Sequence, residues 1–99
     1  MVPEIGMGGF YSPHSDRYPV TVVAVSKSGR ICTTRDDKTR VVSGYITDGS
    51  AEYEITPNPN GTLREWSRRK NGRWVQTGET MNGTGLYLGT RSAYYDPHY

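Results

Sequence analysis

The chain has 99 residues and a formal net charge of +2 at pH 7, which leaves room for one domain and excludes a large core. Aliphatic residues are few, but eight Tyr, two Trp and one Phe provide large apolar surfaces, and the charge is too small to keep the chain expanded. We therefore expect a folded domain with an aromatic-rich core, and a homo-oligomer is an open alternative.

The first predicted elements are an arm and a core strand. Met1 to Pro13 is rich in Gly and contains two prolines, which predicts an extended arm or loop. Tyr18 to Val25 is β-branched and apolar on both faces, a pattern typical of a strand covered on both sides. No leader pattern occurs in the arm and no long apolar run follows it, so we expect a cytoplasmic protein with no membrane partner.

A turn at residues 27–29 leads into a second strand, Arg30 to Arg35, which is predicted to end at Asp36-Asp37. Cys32 is the lone cysteine of the chain, so an intramolecular disulfide is impossible. A reducing compartment is the simple interpretation, and we expect Cys32 to act as a small buried hydrophobe.

Two further strands are predicted in the middle of the chain, at Val41 to Ile46 and Ala51 to Thr56, joined around Asp48-Gly49. Pro57 to Gly61 contains two prolines, which cannot donate to a sheet ladder. This segment is therefore predicted to be a loop.

The strongest local signal is a basic β-hairpin over Thr62 to Gly78. Asn71-Gly72 between two extended runs is typical of a two-residue type I′ turn, in which both central residues have positive φ. The predicted pairs are Lys70 with Arg73, Arg69 with Trp74, Arg68 with Val75, Ser67 with Gln76 and Trp66 with Thr77. This register places the two tryptophans on opposite faces.

Two interpretations of this hairpin remain open. In the functional one, its cations contact phosphates while Trp74 stacks on a base. The predicted nucleic-acid or ligand-binding residues are Arg64, Trp66, Arg68, Arg69, Lys70, Arg73 and Trp74. In the structural one, Trp66 packs in the core against Val75, Trp74 is half-buried against Leu63 or the tail, and the cations form a solvated face.

The end of the chain is predicted to contain a closing strand and a docked tail. Leu86 to Gly89 is a short apolar run that could close the sheet, and we expect residues 90–99 to pack on the body. Tyr94, Tyr95 and Tyr99 in this tail are a candidate partner surface, because interfaces are enriched in Tyr.

Paired His and carboxylate groups occur twice, as His14 with Asp16 and as Asp96 with His98. Both pairs lie in Pro-containing terminal segments and are better interpreted as turns in which a side chain caps a backbone amide. We therefore predict no catalytic residue, no metal site and no cofactor.

Five to seven short strands in about 100 residues predict an all-β fold, a small SH3-like barrel or sandwich. The run from Asp16 to Val25 followed by Arg30 to Asp37 is similar to the opening hairpin of Tudor-like and KOW-like barrels. In those modules a Tyr precedes a valine-rich first strand and the second strand ends at Asp.

A broader resemblance extends over nearly the whole chain. The segments Ile5 to Gly8, Ser15 to Pro19, Val25 to Gly29, Arg69 to Trp74 and Tyr95 to His98 resemble an uncharacterised family of short proteins from tailed phages and prophages. The chain departs from that family in two places. Arg68 stands where an apolar residue is usual, and Val41 to Tyr53 is less polar than the corresponding loop of the family. The resemblance brings no activity with it but implies a phage accessory protein in the host cytoplasm.

Three functions remain open, and none is enzymatic. The first is binding of nucleic acid or another polyanion through residues 62–78. The second is inhibition of a host or antiviral-defence enzyme by direct protein binding. The third is an oligomeric protein that sequesters a nucleotide or another small anion.

Overall fold

The structure is a computed structural model that describes residues 2–13, 16–45, 51–79 and 83–94. The described residues form β-strands and no helix, and therefore no helix that could cross a membrane. The strands are β1 Gly8–Ser12, β2 Tyr18–Val25, β3 Ile31–Asp36, β4 Lys38–Ser43, β5 Glu52–Thr56, β6 Leu63–Arg68, β7 Trp74–Gln76 and β8 Gly85–Leu88. The all-β prediction is confirmed.

Six of these strands form a closed antiparallel barrel in the order β1-β2-β3-β6-β7-β8, and β8 pairs back on β1. The other two strands, β4 and β5, form a separate two-stranded antiparallel sheet inserted between β3 and β6. Closure leaves the barrel without a free edge strand, which stabilises a small all-β domain against edge-to-edge association. This architecture is consistent with the predicted small SH3-like barrel.

The Gly-rich segment that was predicted to be an arm supplies β1, which pairs with β2 on one side and β8 on the other. Gly9 explains part of the glycine content, because a Cβ at this position would lie 2.6 Å from the carbonyl oxygen of Tyr87. The close approach of two strands therefore requires a residue without a side chain here.

The middle of the chain departs from the predicted boundaries. β3 is Ile31–Asp36, one residue later at each end than the predicted Arg30 to Arg35, and β4 begins at Lys38 rather than at Val41. The backbone N–H of Asp37, between the two strands, donates to the carbonyl of Pro19 on β2 at 3.0 Å. The chain therefore leaves the barrel without an intervening loop. The predicted connection around Asp48-Gly49 lies outside the described residues.

Aromatic side chains fill the interior of the barrel, as expected. The core cluster consists of Tyr11, Val20, Cys32, Trp66, Trp74 and Leu86. Trp66 has no exposed surface, and its indole Nε1–H donates to Oγ1 of the equally buried Thr34 at 2.8 Å. This hydrogen bond satisfies a polar group that would otherwise be costly to bury. Cys32 is buried as predicted, and burial raises the pKa of its thiol to about 11.

An ion pair between Arg91 and Asp37 holds the segment after β8 on the barrel. Nε of Arg91 donates to Oδ2 of Asp37 at 3.0 Å, and its Nη2 donates to Oγ1 of Thr21 at 2.8 Å. The Asp37 side chain is only 1% exposed. Gly8 lies against Arg91, because a Cβ on Gly8 would be 2.6 Å from Cγ of Arg91. Glycine at this position therefore allows the arginine to reach the buried carboxylate.

Candidate functional site

The β6–β7 hairpin has a register one residue away from the predicted one. The observed pairs are Trp66 with Gln76, Ser67 with Val75 and Arg68 with Trp74. The backbone N–H of Arg69 donates to the carbonyl of Arg73 at 2.8 Å, and that of Gly72 donates to the carbonyl of Arg69 at 2.9 Å. The loop therefore has three residues, 70–72, and the predicted two-residue turn is wrong.

The same Asn-Gly pair suits this three-residue loop for a different reason. Gly72 alone among the loop residues has positive φ, at +85°, which is the left-handed position of such loops. Oδ1 of Asn71 accepts a hydrogen bond from the backbone N–H of Arg73 at 3.0 Å. Asn71 thus caps the turn with its side chain instead of adopting positive φ.

The shift of one residue moves Trp74 to the other face of the hairpin, because side chains alternate between the faces of a strand. Trp74 pairs with Arg68, which lies on the same face as Trp66, so both indoles point into the barrel. The prediction that they face opposite sides is wrong. Trp66 is 0% and Trp74 6% exposed, so in this structure neither ring offers a face on which a base could stack.

Arg64, a predicted ligand-binding residue, contacts the body of the barrel. Its Nε and Nη2 each donate to the Asp36 carboxylate at 3.1 Å, and its guanidinium carbon lies 4.7 Å from the ring centroid of Tyr11. The hydrogen bond to Asp36 raises the pKa of Arg64 above its usual range. Burial, together with the negative charge of Asp36, raises the pKa of the Tyr11 hydroxyl. The structure therefore gives Arg64 a structural role in joining β3 to β6.

Arg69 combines a structural contact with a place in the site. Its Nη2 donates to the carbonyls of Gln76 at 3.3 Å and Glu79 at 2.8 Å, so the side chain holds the backbone that leaves β7. These acceptors are neutral carbonyls, so the contacts do not cancel the charge of the guanidinium.

Four cationic side chains come together at one end of the barrel. The backbone N–H of Arg68 donates to the carbonyl of Arg30 at 2.8 Å, which brings the residue before β3 beside the end of β6. Among the described residues, Arg30, Arg68, Arg69 and Lys70 line a cleft of about 460 Å³ together with Gly72. Every side chain at this cleft is positively charged, and such concave clusters attract anions strongly. We call it the cationic cleft.

Arg30 is the residue of this site that was not predicted from the sequence. In the sequence it only begins a strand after a turn, with no local signal that links it to the hairpin. Its position depends on the pairing of β3 with β6, in which Ile31 is the partner of Ser67. That pairing joins segments that are far apart in the chain.

A second concavity of about 370 Å³ shares Gly72 with the cationic cleft. We call it the tip pocket, and its lining includes Arg73, Gly85 and Tyr87. The cations predicted in the hairpin therefore separate into three groups: Arg68, Arg69 and Lys70 line the cleft, Arg73 lines the tip pocket, and Arg64 lies at neither.

The predicted tyrosine surface is described only at Tyr94. This residue forms a two-way backbone bridge with Arg17, whose guanidinium carbon lies 5.9 Å from the Tyr94 ring centroid. The tail up to Tyr94 therefore packs on the start of β2. Tyr95 and Tyr99 lie outside the described residues.

Of the two His and carboxylate pairs, only Asp16 falls within the described residues; His14, Asp96 and His98 do not. Asp16 accepts a hydrogen bond from the Tyr18 hydroxyl at 2.9 Å and, through its backbone carbonyl, another from the Ser12 hydroxyl at 2.7 Å. In the part of the chain that the structure describes, no three His, Cys, Asp or Glu side chains are grouped as metal ligands would be.

The positive charge of the cationic cleft comes from four side chains. Three of its four cations were predicted from the hairpin sequence, and the fold adds Arg30. Comparison of the chain with protein-family models, curated proteins and solved structures finds no match.

Proposed function

We propose that this protein is a non-enzymatic binding protein for nucleic acid or another polyanion, and that the cationic cleft is its binding site. The observation that carries the proposal is the convergence of Arg30, Arg68, Arg69 and Lys70 on one concave surface. Guanidinium and ammonium groups are the side chains that pair with phosphate oxygens. A cleft with four such groups can contact several successive phosphates of one strand.

The number of cations sets the expected salt dependence. For a single strand, each neutralised phosphate contributes about −0.7 to the slope of log affinity against log salt concentration. Four contacts therefore predict a slope of about −2.8. Affinity should fall about 50-fold when the salt concentration is raised from 50 to 200 mM.

The test is fluorescence anisotropy of a labelled single-stranded oligonucleotide, titrated with nucleic-acid-free protein at several salt concentrations. The test variant is Arg68→Ser with Lys70→Ser, and the matched control is Lys38→Ser with Arg40→Ser, which removes the same charge from the separate sheet. Arg69 is kept because it also holds the backbone after β7.

The test variant should bind more weakly, with a slope of about −1.4, because two of the four phosphate contacts are lost. The control should match the wild type, since the ion pair of Arg40 with Glu54 is exposed and contributes little to stability. Equal losses of affinity in both variants would show that only the net charge of the protein matters and that the cleft is not the binding site. An absence of wild-type binding at low salt would refute the proposal as a whole.

Binding of a host or defence protein is the second candidate function. Apolar side chains are exposed on and just after β4: Val41 at 39%, Val42 at 51% and Tyr45 at 71%. Such surface suits a protein interface or a contact between copies of this chain. A partner captured from nuclease-treated host extract by the wild type, but lost with Val42→Ser and Tyr45→Ser, would support this function; unchanged capture would reject it.

The resemblance to tailed-phage proteins supplies the cellular setting of the proposal. It implies an accessory protein that acts in the host cytoplasm, where nucleic acids are abundant polyanions. The lone, buried Cys32 is compatible with that reducing compartment.

A further inference from the structure

The tip pocket lies directly beside the cationic cleft, because Gly72 lines both. We propose that it receives an unpaired base of a strand whose phosphates occupy the cleft, so that the ligand is a single-stranded nucleic acid. This inference rests on the proposed function and names the class of polyanion that the site selects.

The first support is an exposed aromatic ring in the pocket lining. Tyr87 is 50% exposed, and its ring stacks on that of Phe10 with the centroids 5.0 Å apart and the planes inclined by 23°. Phe10 covers one face of the Tyr87 ring, so the exposed surface lies on its edge and other face. A base that stacked there would extend an aromatic pair that is already ordered, and stacking on aromatic rings is the usual way in which single strands are held.

The second support is the convergence of the Arg73 and Tyr87 side chains over Gly85. A Cβ built on Gly85 would lie 2.9 Å from Nη2 of Arg73, 3.6 Å from the Tyr87 hydroxyl and 3.7 Å from its ring. An arginine and a tyrosine therefore converge over a residue that has no side chain. A planar ligand could contact both the guanidinium and the aromatic ring there, as splayed bases do in RNA-binding proteins.

The third support is the size and chemistry of the pocket. Its volume of about 370 Å³ lies near the lower end of the range for small-molecule sites. Its lining combines apolar and aromatic side chains with the Asn71 amide and a single cation, Arg73, whereas every side chain of the cleft is cationic. This division matches a nucleotide, which has a planar base with apolar faces and an anionic phosphate.

The experiment compares two labelled strands of equal length and charge, oligothymidine and a fully abasic oligodeoxynucleotide, in anisotropy titrations with the wild-type protein. Oligothymidine should bind more tightly by on the order of tenfold, the effect of one stacked base. Both strands should show the same salt slope, because both occupy the same cationic cleft.

Two variants test whether the preference for oligothymidine arises in the tip pocket. Tyr87→Leu removes the stacking ring. Gly85→Ala displaces the Arg73 guanidinium from its place over the glycine, because an added Cβ would lie 2.9 Å from Nη2 at the end of that flexible side chain. Each should abolish the preference for oligothymidine and leave affinity for the abasic strand unchanged. Tyr45→Leu replaces another exposed tyrosine and should behave as the wild type.

Equal affinity of the wild type for the two strands, with normal salt dependence, would overturn this inference and leave polyanion binding intact. A preference for oligothymidine that survives both pocket variants would also overturn it. Failure of both strands to bind at low salt would instead refute the proposed function itself.

Discussion

The buried hydrogen bond between Trp66 and Thr34 is expected to contribute substantially to stability. Both side chains are 0% exposed, and Nε1–H donates to Oγ1 at 2.8 Å. Thr34→Val preserves the shape of the side chain and removes the acceptor, which leaves the indole N–H buried without a partner. An unsatisfied buried donor costs about 1–3 kcal/mol. We expect Thr34→Val to lower the free energy of unfolding by about 2 kcal/mol.

A double-mutant cycle separates this hydrogen bond from other effects. Trp66→Phe alone should cost more than Thr34→Val, because it leaves a cavity as well as a hydroxyl without its partner. In the Trp66→Phe background, Thr34→Val should be nearly neutral, since the hydrogen bond is already absent.

The measurement is urea denaturation followed by far-UV circular dichroism, which avoids fluorescence because Trp66 is itself changed. Thermal unfolding of Thr34→Val should show a Tm lower by about 8–16 °C, given about 4–8 °C per kcal/mol for a domain of this size. A loss below about 0.5 kcal/mol, or an equal loss with and without Trp66, would refute the reasoning.

Three further predictions concern the backbone, the Arg91 ion pair and the core thiol. Gly61→Ala should prevent stable folding, because its Cβ would overlap the carbonyl oxygen of Asp36; a soluble variant with wild-type Tm would contradict this. Gly8→Ala should destabilise by about 1.5–3 kcal/mol, the range for loss of a hydrogen bond to a charged group, because the Asp37 carboxylate would lose Arg91 and keep only the Thr21 hydroxyl. The change should be nearly neutral on top of Arg91→Ala; equal costs in both backgrounds would show that Gly8 does not act through Arg91. The folded-state pKa of Cys32 is raised from 9.0 to about 11, so its contribution to stability is complete below pH 9 and is lost as pH rises toward 11. The free energy of unfolding of the wild type should therefore fall by about 2–3 kcal/mol over this pH range, and urea titrations of Cys32→Ala should lack that fall. Identical pH dependence of the free energy of unfolding in the two proteins would contradict this prediction.

The sequence by itself determined the fold class and most of the strands, because those depend on local rules. The β-branched, apolar run predicted β2 at Tyr18–Val25, and the observed strand has the same bounds. The two prolines of Pro57 to Gly61 exclude a strand there, and the structure has none. The number of short strands then favoured a small barrel, since closure is how such a chain removes its edges.

Only the tertiary structure decided the hairpin register and the membership of the site. Asn71-Gly72 is compatible with a two-residue or a three-residue loop, and the three-residue loop buries Trp66 and Trp74 together in the core. The pairing of β3 with β6 brings Arg30 to the cleft and Asp36 to Arg64. These contacts join segments distant in sequence, so they follow from how the barrel closes, which local patterns do not encode.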